Sequence, residues 1–158
     1  MPAIISMMGK KGSQKAKVIE KLIALLSAKG YRVGVLKHLA RPDIEIDEPG
    51  TDTYQYRTQG AEKVILAGDK RLAIFENLRE SIPIHELLSA FNNFDLVFLE
   101  GYFQNEFPKI EVHRKENVIA FCFDKGKVEA PLFSFEELDQ LAQFIERLML
   151  KKEGVAVS

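Results

Sequence analysis

Residues 3–8, Ala-Ile-Ile-Ser-Met-Met, form a short, nearly continuous apolar run that stops at Gly9. Such a run predicts a strand buried on both faces. From Lys15 to Lys29 the period changes. Val18, Ile19, Leu22, Ile23, Leu25 and Leu26 recur three and four residues apart, the spacing of one helix face. Gly30 supplies a stop, and Tyr31 to Lys37 returns to strand. A strand, a glycine-bounded turn, a helix and a strand open a parallel α/β sheet with a right-handed crossover.

His38 to Thr53 is polar, carries Pro42, Pro49 and Gly50, and reads as a functional loop. A short helix is predicted over Asp52–Gln59. Lys63–Ala67 and Arg71–Glu76 read as an antiparallel hairpin around Gly68-Asp69. Ser81-Ile82-Pro83 opens a helix ending near Phe91, with Pro83 in its first turn. Leu96–Leu99 is apolar enough for a central strand, and Lys109–His113 and Val118–Phe123 are further strands. Ser134 and Glu137 match a capping box opening the last helix, whose stripe includes Leu138, Leu141, Ile145 and Leu148. The expected architecture is α/β, in three layers, with a mostly parallel sheet and an antiparallel hairpin. Residues 1–150 form a single domain in this reading, and 151–158 a frayed tail.

Composition narrows the function classes. The 158 residues suffice for one domain with a real core, and 46% apolar with 28% charged is an ordinary globular balance. Lys plus Arg is 22 and Asp plus Glu is 23, so no basic footprint for nucleic acid exists. Cys122 is the single cysteine, which excludes an intrachain disulfide and suits a reducing compartment. No apolar run approaches the ~20 residues of a membrane span. Met1–Met8 lacks a basic flank and reads as a strand, not an export signal. The expectation is a cytoplasmic protein that engages neither membrane nor nucleic acid.

The first turn carries the strongest chemical signal. Set against G-x-x-x-x-G-K-[ST], it reads Gly9-Lys10-Lys11-Gly12-Ser13-Gln14-Lys15-Ala16. The first glycine and the lysine are in register, with a strand before and a helix after. Such a turn aims backbone N–H groups at phosphate oxygens, adds the positive end of a helix, and reaches the terminal phosphates with lysine. Gly12, Ser13 and Lys15 retain much of this. Gln14 stands where the template has glycine, costing about 1 kcal/mol if glycine geometry is required. Ala16 has no oxygen for Mg²⁺. A solvated basic turn is the competing reading.

Leu96–Leu99 ends in Glu100-Gly101, a carboxylate at a strand's carboxyl end, where α/β sheets bind ligands. Glu100 could hold Mg²⁺ or position an attacking water; a strand running out into a polar loop is the plainer account. Asp47 to Thr53 offers carboxylates and hydroxyls for a second Mg²⁺ ligand or a γ-phosphate switch, or is simply an acidic turn. His38, His85, His113 and Cys122 share no metal-ligand spacing. His38 follows a strand end where a ligand role is open. His113-Arg114 ends another strand, placing Arg114 where it could reach an anion. Asp124 could accept from a guanine edge or merely form a turn.

Taken together, these segments resemble the molybdopterin-guanine dinucleotide biosynthesis protein B (MobB) family of P-loop proteins. The resemblance covers nearly the whole chain. It runs through the glycine turn, Val18 to Ile23, Gly30 to His38, Ile46 to Thr53, Gly60-Ala61, Asp95 to Tyr102 and Pro108 to Arg114. It implies a P-loop NTPase-like fold, GTP as ligand with weak GTPase activity, homodimers, and work beside the enzyme that attaches GMP to molybdopterin. By motif match, the turn residues Gly9, Gly12, Ser13, Gln14, Lys15 and Ala16 surround the phosphates, with Lys15 contacting them. Asp52 and Glu100 serve the Mg²⁺ region, Glu100 also as the catalytic candidate, and Asp124 meets guanine. The departures are Gln14-Lys15-Ala16 for glycine-lysine-threonine, Lys17 for a second hydroxyl residue, and Leu39-Ala40-Arg41-Pro42 for a histidine-rich loop. Losing one hydroxyl ligand costs on the order of 1–3 kcal/mol of ligand binding. Lys10, Lys11 and Lys17 could partly offset this by neutralising phosphate charge without the metal. The resemblance therefore implies a weakened Mg²⁺ site. The alternative is a pseudo-NTPase adaptor that docks to a maturation partner without productive hydrolysis. A small-molecule phosphotransferase rests on fold analogy alone.

Overall fold

The computed structural model describes residues 1–10, 12–39, 44–102, 106–122 and 131–152. The chain divides into two compact units: Met1–His38 with Leu87–Ser158, and Leu39–Glu86.

The first unit is built on a six-stranded sheet in the order β2-β5-β1-β6-β7-β8. The strands are β1 (Ala3–Met8), β2 (Val33–Lys37), β5 (Leu96–Glu100), β6 (Lys109–His113), β7 (Val118–Cys122) and β8 (Leu132–Phe133). β2, β5, β1 and β6 are parallel; β7 runs antiparallel to β6, and β8 to β7. The continuous apolar runs of β1 and β5 lie in the middle, as expected of strands buried on both faces.

One face of the sheet presents Ile5, Met7, Leu96, Phe98, Ile110, Val112, Ile119 and Phe121 to two helices. Helix α1 (Lys15–Ala28) contributes Val18, Ile19, Leu22 and Leu26, the residues that carry its periodicity. Helix α4 (Leu138–Lys152) contributes Leu141, Ala142, Ile145 and Met149. Each fully buried Leu, Ile or Phe adds roughly 1.5–3 kcal/mol of transfer free energy. The α1–α4 contact is tied at its rim by Glu146, which accepts from Lys29 and from the Tyr31 hydroxyl at 2.9 Å. On the opposite face Gly34 lies under Phe91, where an added Cβ would come within 2.5 Å of the ring. Phe91 and Phe94 stack edge to face at 5.3 Å, and the Arg32 guanidinium covers Phe94.

The capping box forms: the Ser134 N–H donates to Glu137 Oε2 at 2.8 Å. It closes a 3₁₀ turn, Phe135–Glu137, before α4 proper, and α4 continues through Lys152, two residues into the segment expected as tail. β8 was not anticipated, because two residues carry no period. Helix α3 (Ile84–Ser89) is shorter than the span from Ser81 to Phe91; i→i+3 bonds from Ala90, Phe91 and Asn92 unwind its end into turns.

The second unit holds α2 (Asp52–Thr58) and the hairpin β3 (Lys63–Ala67) and β4 (Leu72–Glu76). The hairpin is antiparallel as predicted, with its second strand starting one residue later at Leu72; Ile65 lies opposite Ile74, and the Gly68 N–H to Arg71 carbonyl bond at 2.9 Å closes the loop. It forms a two-stranded sheet of its own. Val64 and Phe75 line one face, with the Arg57 guanidinium over Phe75 at 5.7 Å. Ile65, Leu72 and Ile74 line the other and stay 56%, 65% and 53% exposed.

Candidate functional site

Strand β1 ends at Met8, and the chain turns at once into α1. Gly9 has φ +149°, and a Cβ there would crowd Ser13 Oγ at 2.6 Å and the Val112 carbonyl at 3.0 Å. Gly12 has φ +82°. Both glycines of the turn thus sit at positive φ, where glycine is favoured, and Gly9 also has no room for a side chain. The Ser13 N–H closes a tight turn onto the Lys10 carbonyl at 3.0 Å. Gln14 then adopts φ 65°, ψ 23°, the left-handed region. The turn demands glycine geometry at the one template position where the glycine is missing.

The helix that follows is uncapped. Gln14 makes no side-chain cap bond, the first turn holds no acid, and the first intrahelical bond is Val18 N–H to Gln14 carbonyl at 3.2 Å. The amides of Lys15, Ala16 and Lys17 are therefore left outside the ladder, and the positive end of the macrodipole is uncompensated. Ser13 is 7% exposed, and its buried hydroxyl has no hydrogen-bond partner. A buried, unsatisfied hydroxyl beside an uncapped helix N-terminus is the arrangement an anion would complete. Lys15 folds back so that Nζ donates to the Gly9 carbonyl at 3.1 Å, bridging the turn.

Topology locates the rest of the site. The chain leaving β1 crosses to β2 on one side, whereas the chain leaving β6 goes to β7 on the other. The carboxyl ends of β1 and β6 flank the switch point at which open α/β sheets bind ligands. A pocket of about 1050 Å³ opens there. One wall is Gly9, Lys10, Gly12 and Ser13; the other is the end of β6 and the β6–β7 turn, from Glu111 to Glu116. Glu111 accepts from His113 Nε2 at 3.3 Å when that nitrogen carries the proton, while Arg114, Lys115 and Glu116 are exposed. This second wall is the part that sequence reasoning missed, apart from noting that Arg114 could reach an anion.

On the other side of β1, Glu100 ends β5 in register with Met7 and Lys37. Its carboxylate pairs with Lys37 Nζ at 3.2 Å. The His38 N–H donates to the Glu100 carbonyl at 2.7 Å, and the His38 and Tyr102 rings lie 4.9 Å apart. Gly101, at φ +88°, passes so close to the His38 carbonyl that any Cβ would overlap it. Burial pushes the Tyr102 hydroxyl and the Cys122 thiol up from their ordinary values.

The acidic loop belongs to the second unit. Asp47 is buried there, accepting from the Glu48 N–H at 2.9 Å and the Thr53 hydroxyl at 3.1 Å, with Arg57 Nε at 3.5 Å. Thr51 caps α2 through the Tyr54 N–H at 3.3 Å. The bond from the Asp47 amide and the Arg57 guanidinium hold Glu45 below the usual carboxylate range. Asp47 therefore organises its own loop, while Asp52, the metal candidate, is exposed at the first residue of α2. Lys11 and Asp124 lie outside the described residues. Cys122, the last described residue of the strand leading to Asp124, registers with Lys109, at the sheet edge opposite the glycine turn.

Mg²⁺ is a poor fit to this donor set. Ala16 supplies no oxygen, Glu100 already holds an ammonium group, and no three His, Cys, Asp or Glu side chains gather among the described residues. No helix among them is long and apolar enough to cross a membrane.

Residues 4–130 match the family model described as molybdopterin guanine dinucleotide synthesis protein B. The molybdopterin-guanine dinucleotide biosynthesis adapter protein of Haemophilus influenzae is 31% identical over 90% of this chain and 87% of its own. Its Escherichia coli counterpart is 31% identical over 90% and 91%. The crystal structure of a MobB homologue from Bacillus stearothermophilus superposes with a TM-score of 0.66 at 20% identity, covering 94% of this chain and 98% of that one. Bacillus subtilis MobB gives 0.58 at 24% identity, over 70% and 68%. The mostly parallel sheet, the separate hairpin and the glycine turn thus agree with a family match that spans most of the sequence, and the chain belongs to the MobB family.

Proposed function

We propose that this protein is a GTP-binding adapter in molybdopterin-guanine dinucleotide biosynthesis, with feeble or no hydrolysis of its own. The observation that carries the nucleotide part is the buried, unpartnered Ser13 hydroxyl beside the uncapped N-terminus of α1. A phosphate seated there accepts from the free amides and from Ser13. Lys15 leaves the Gly9 carbonyl to reach it, exchanging one oxygen acceptor for a charged one. The adapter role follows from the family and from the names of its relatives, and the partner in this reading is the enzyme that transfers GMP to molybdopterin. Poor Mg²⁺ chemistry at Ala16 and Glu100 favours binding over turnover. A second copy of the chain completes the assembly.

Titration with GTP and GDP, using a fluorescent analogue, tests the reading. Saturable binding is expected, weakened about tenfold or more by Lys15→Ala, the loss of one charge-assisted contact. No binding of either nucleotide at millimolar concentration overturns it and leaves an adaptor that docks without nucleotide.

A further inference from the structure

We propose that the β6–β7 turn completes a metal-independent polyphosphate clamp, in which Arg114 and Lys115 neutralise the distal phosphates of a nucleotide seated in the glycine turn. The inference rests on the nucleotide reading above and deepens it. Two walls share the switch-point pocket, and both carry cations: Lys10 on the glycine turn, Arg114 and Lys115 on the turn after β6. The side chains of Arg114 and Lys115 have no hydrogen-bond or ion-pair partner among the described residues. The acids nearby are mostly engaged: Glu111 with His113, and Glu100, beyond β1, with Lys37. The carboxylates of Glu111 and Glu116 line the same pocket, against the three cations Lys10, Arg114 and Lys115.

A polyphosphate gives up hydration only where other charges replace it. Mg²⁺ does this in an intact P-loop, held by the hydroxyl that follows the lysine. Here Ala16 occupies that position, so neutralisation falls to side chains. Arg114 suits the task because its planar guanidinium grips phosphate oxygens in pairs. The pocket, about 1050 Å³, sits at the top of the range for small-molecule sites and has room for an extended phosphate chain.

Calorimetry on the full chain decides it, with GTP and GMP, each in Mg²⁺ and in EDTA. Removing Mg²⁺ is expected to change the GTP dissociation constant less than about threefold. Replacing both Arg114→Gln and Lys115→Gln is expected to weaken GTP about tenfold or more and GMP less than about threefold, because a single phosphate does not reach the far wall. The proposal is overturned by a tenfold dependence on Mg²⁺, by a double variant that binds GTP as the parent does, or by an equal loss for GMP. The Mg²⁺ comparison on the unaltered chain needs no variant and stands whether or not the variant folds. Mg²⁺-dependent binding sinks the clamp alone; no nucleotide binding under either condition sinks the underlying reading with it.

Discussion

Gln14 shows how a degenerate motif is tolerated. A left-handed backbone places the Cβ of an L-residue against its own carbonyl, so a glutamine at φ 65° is strained where glycine would not be. The strain persists because the residues around it fix the turn: the Lys10–Ser13 bond before it, α1 after it, and Gly9 pressed on Ser13 and Val112. Gln14→Gly should therefore stabilise the protein by about 1 kcal/mol, the strain being larger than the chain entropy glycine adds to the unfolded state. For a chain of this length that raises the melting temperature by roughly 2–4 °C, readable by circular dichroism. An unchanged or lower melting temperature would show that the turn is not strained at this position. The same logic explains what sequence could say about the turn. Its glycines and lysine were readable from spacing, and so was the suspicion at Gln14. The empty hydrogen-bonding capacity of Ser13 was not, because burial of one hydroxyl depends on Val112 and Gly9 coming together from distant strands.

Helices α1 and α4 meet through their apolar stripes, and one polar tie marks the rim. The Lys29 ammonium, more than the Tyr31 hydroxyl, holds Glu146 below the ordinary glutamate value. A carboxylate depressed in the folded state adds stability that is present above its unfolded value and lost as pH falls through the folded one. Glu146→Gln should thus lower stability by less than about 1 kcal/mol near neutral pH, as befits a partly exposed pair. The difference from the parent should vanish in acid, as measured by urea denaturation at several pH values. A penalty undiminished at low pH would mean that Glu146 acts by packing instead. These elements were recoverable from sequence because their periods are long: α1 and α4 span 14 and 15 residues, and β1 and β5 are continuous apolar runs. β8 and the early end of α3 were not, since pairing with β7 and local i→i+3 bonds decide them. The far wall of the pocket escaped for another reason. In sequence, Arg114 stands out only as a cation at a strand end, and the strand order is what sets it and Lys115 opposite Gly9.

The second unit poses the problem of how so small a sheet is covered. A two-stranded hairpin is marginal on its own and gains stability by packing against a helix. α2 and Arg57 serve the side of Val64 and Phe75. The side of Ile65, Leu72 and Ile74 stays more than half exposed, flanked by the Lys63–Glu76 ion pair at 2.9 Å. Contiguous exposed apolar side chains of this kind mark association surfaces. Within the proposed homodimer, this face is the one a second copy would cover, since two-fold symmetry sets the same patch against itself. Charged residues at its centre should then split the dimer without unfolding the hairpin, because Ile65 and Ile74 already face solvent in the single chain. Sedimentation velocity at micromolar concentration should give a dimer for the parent and a monomer for the variant with Ile65→Lys and Ile74→Lys, with the same far-ultraviolet dichroism. Like charges placed directly opposite across the strands repel within one copy, but far less than four brought together in a closed interface. A parent that sediments as a monomer, or a doubly charged variant that remains a dimer, would remove this face from the assembly.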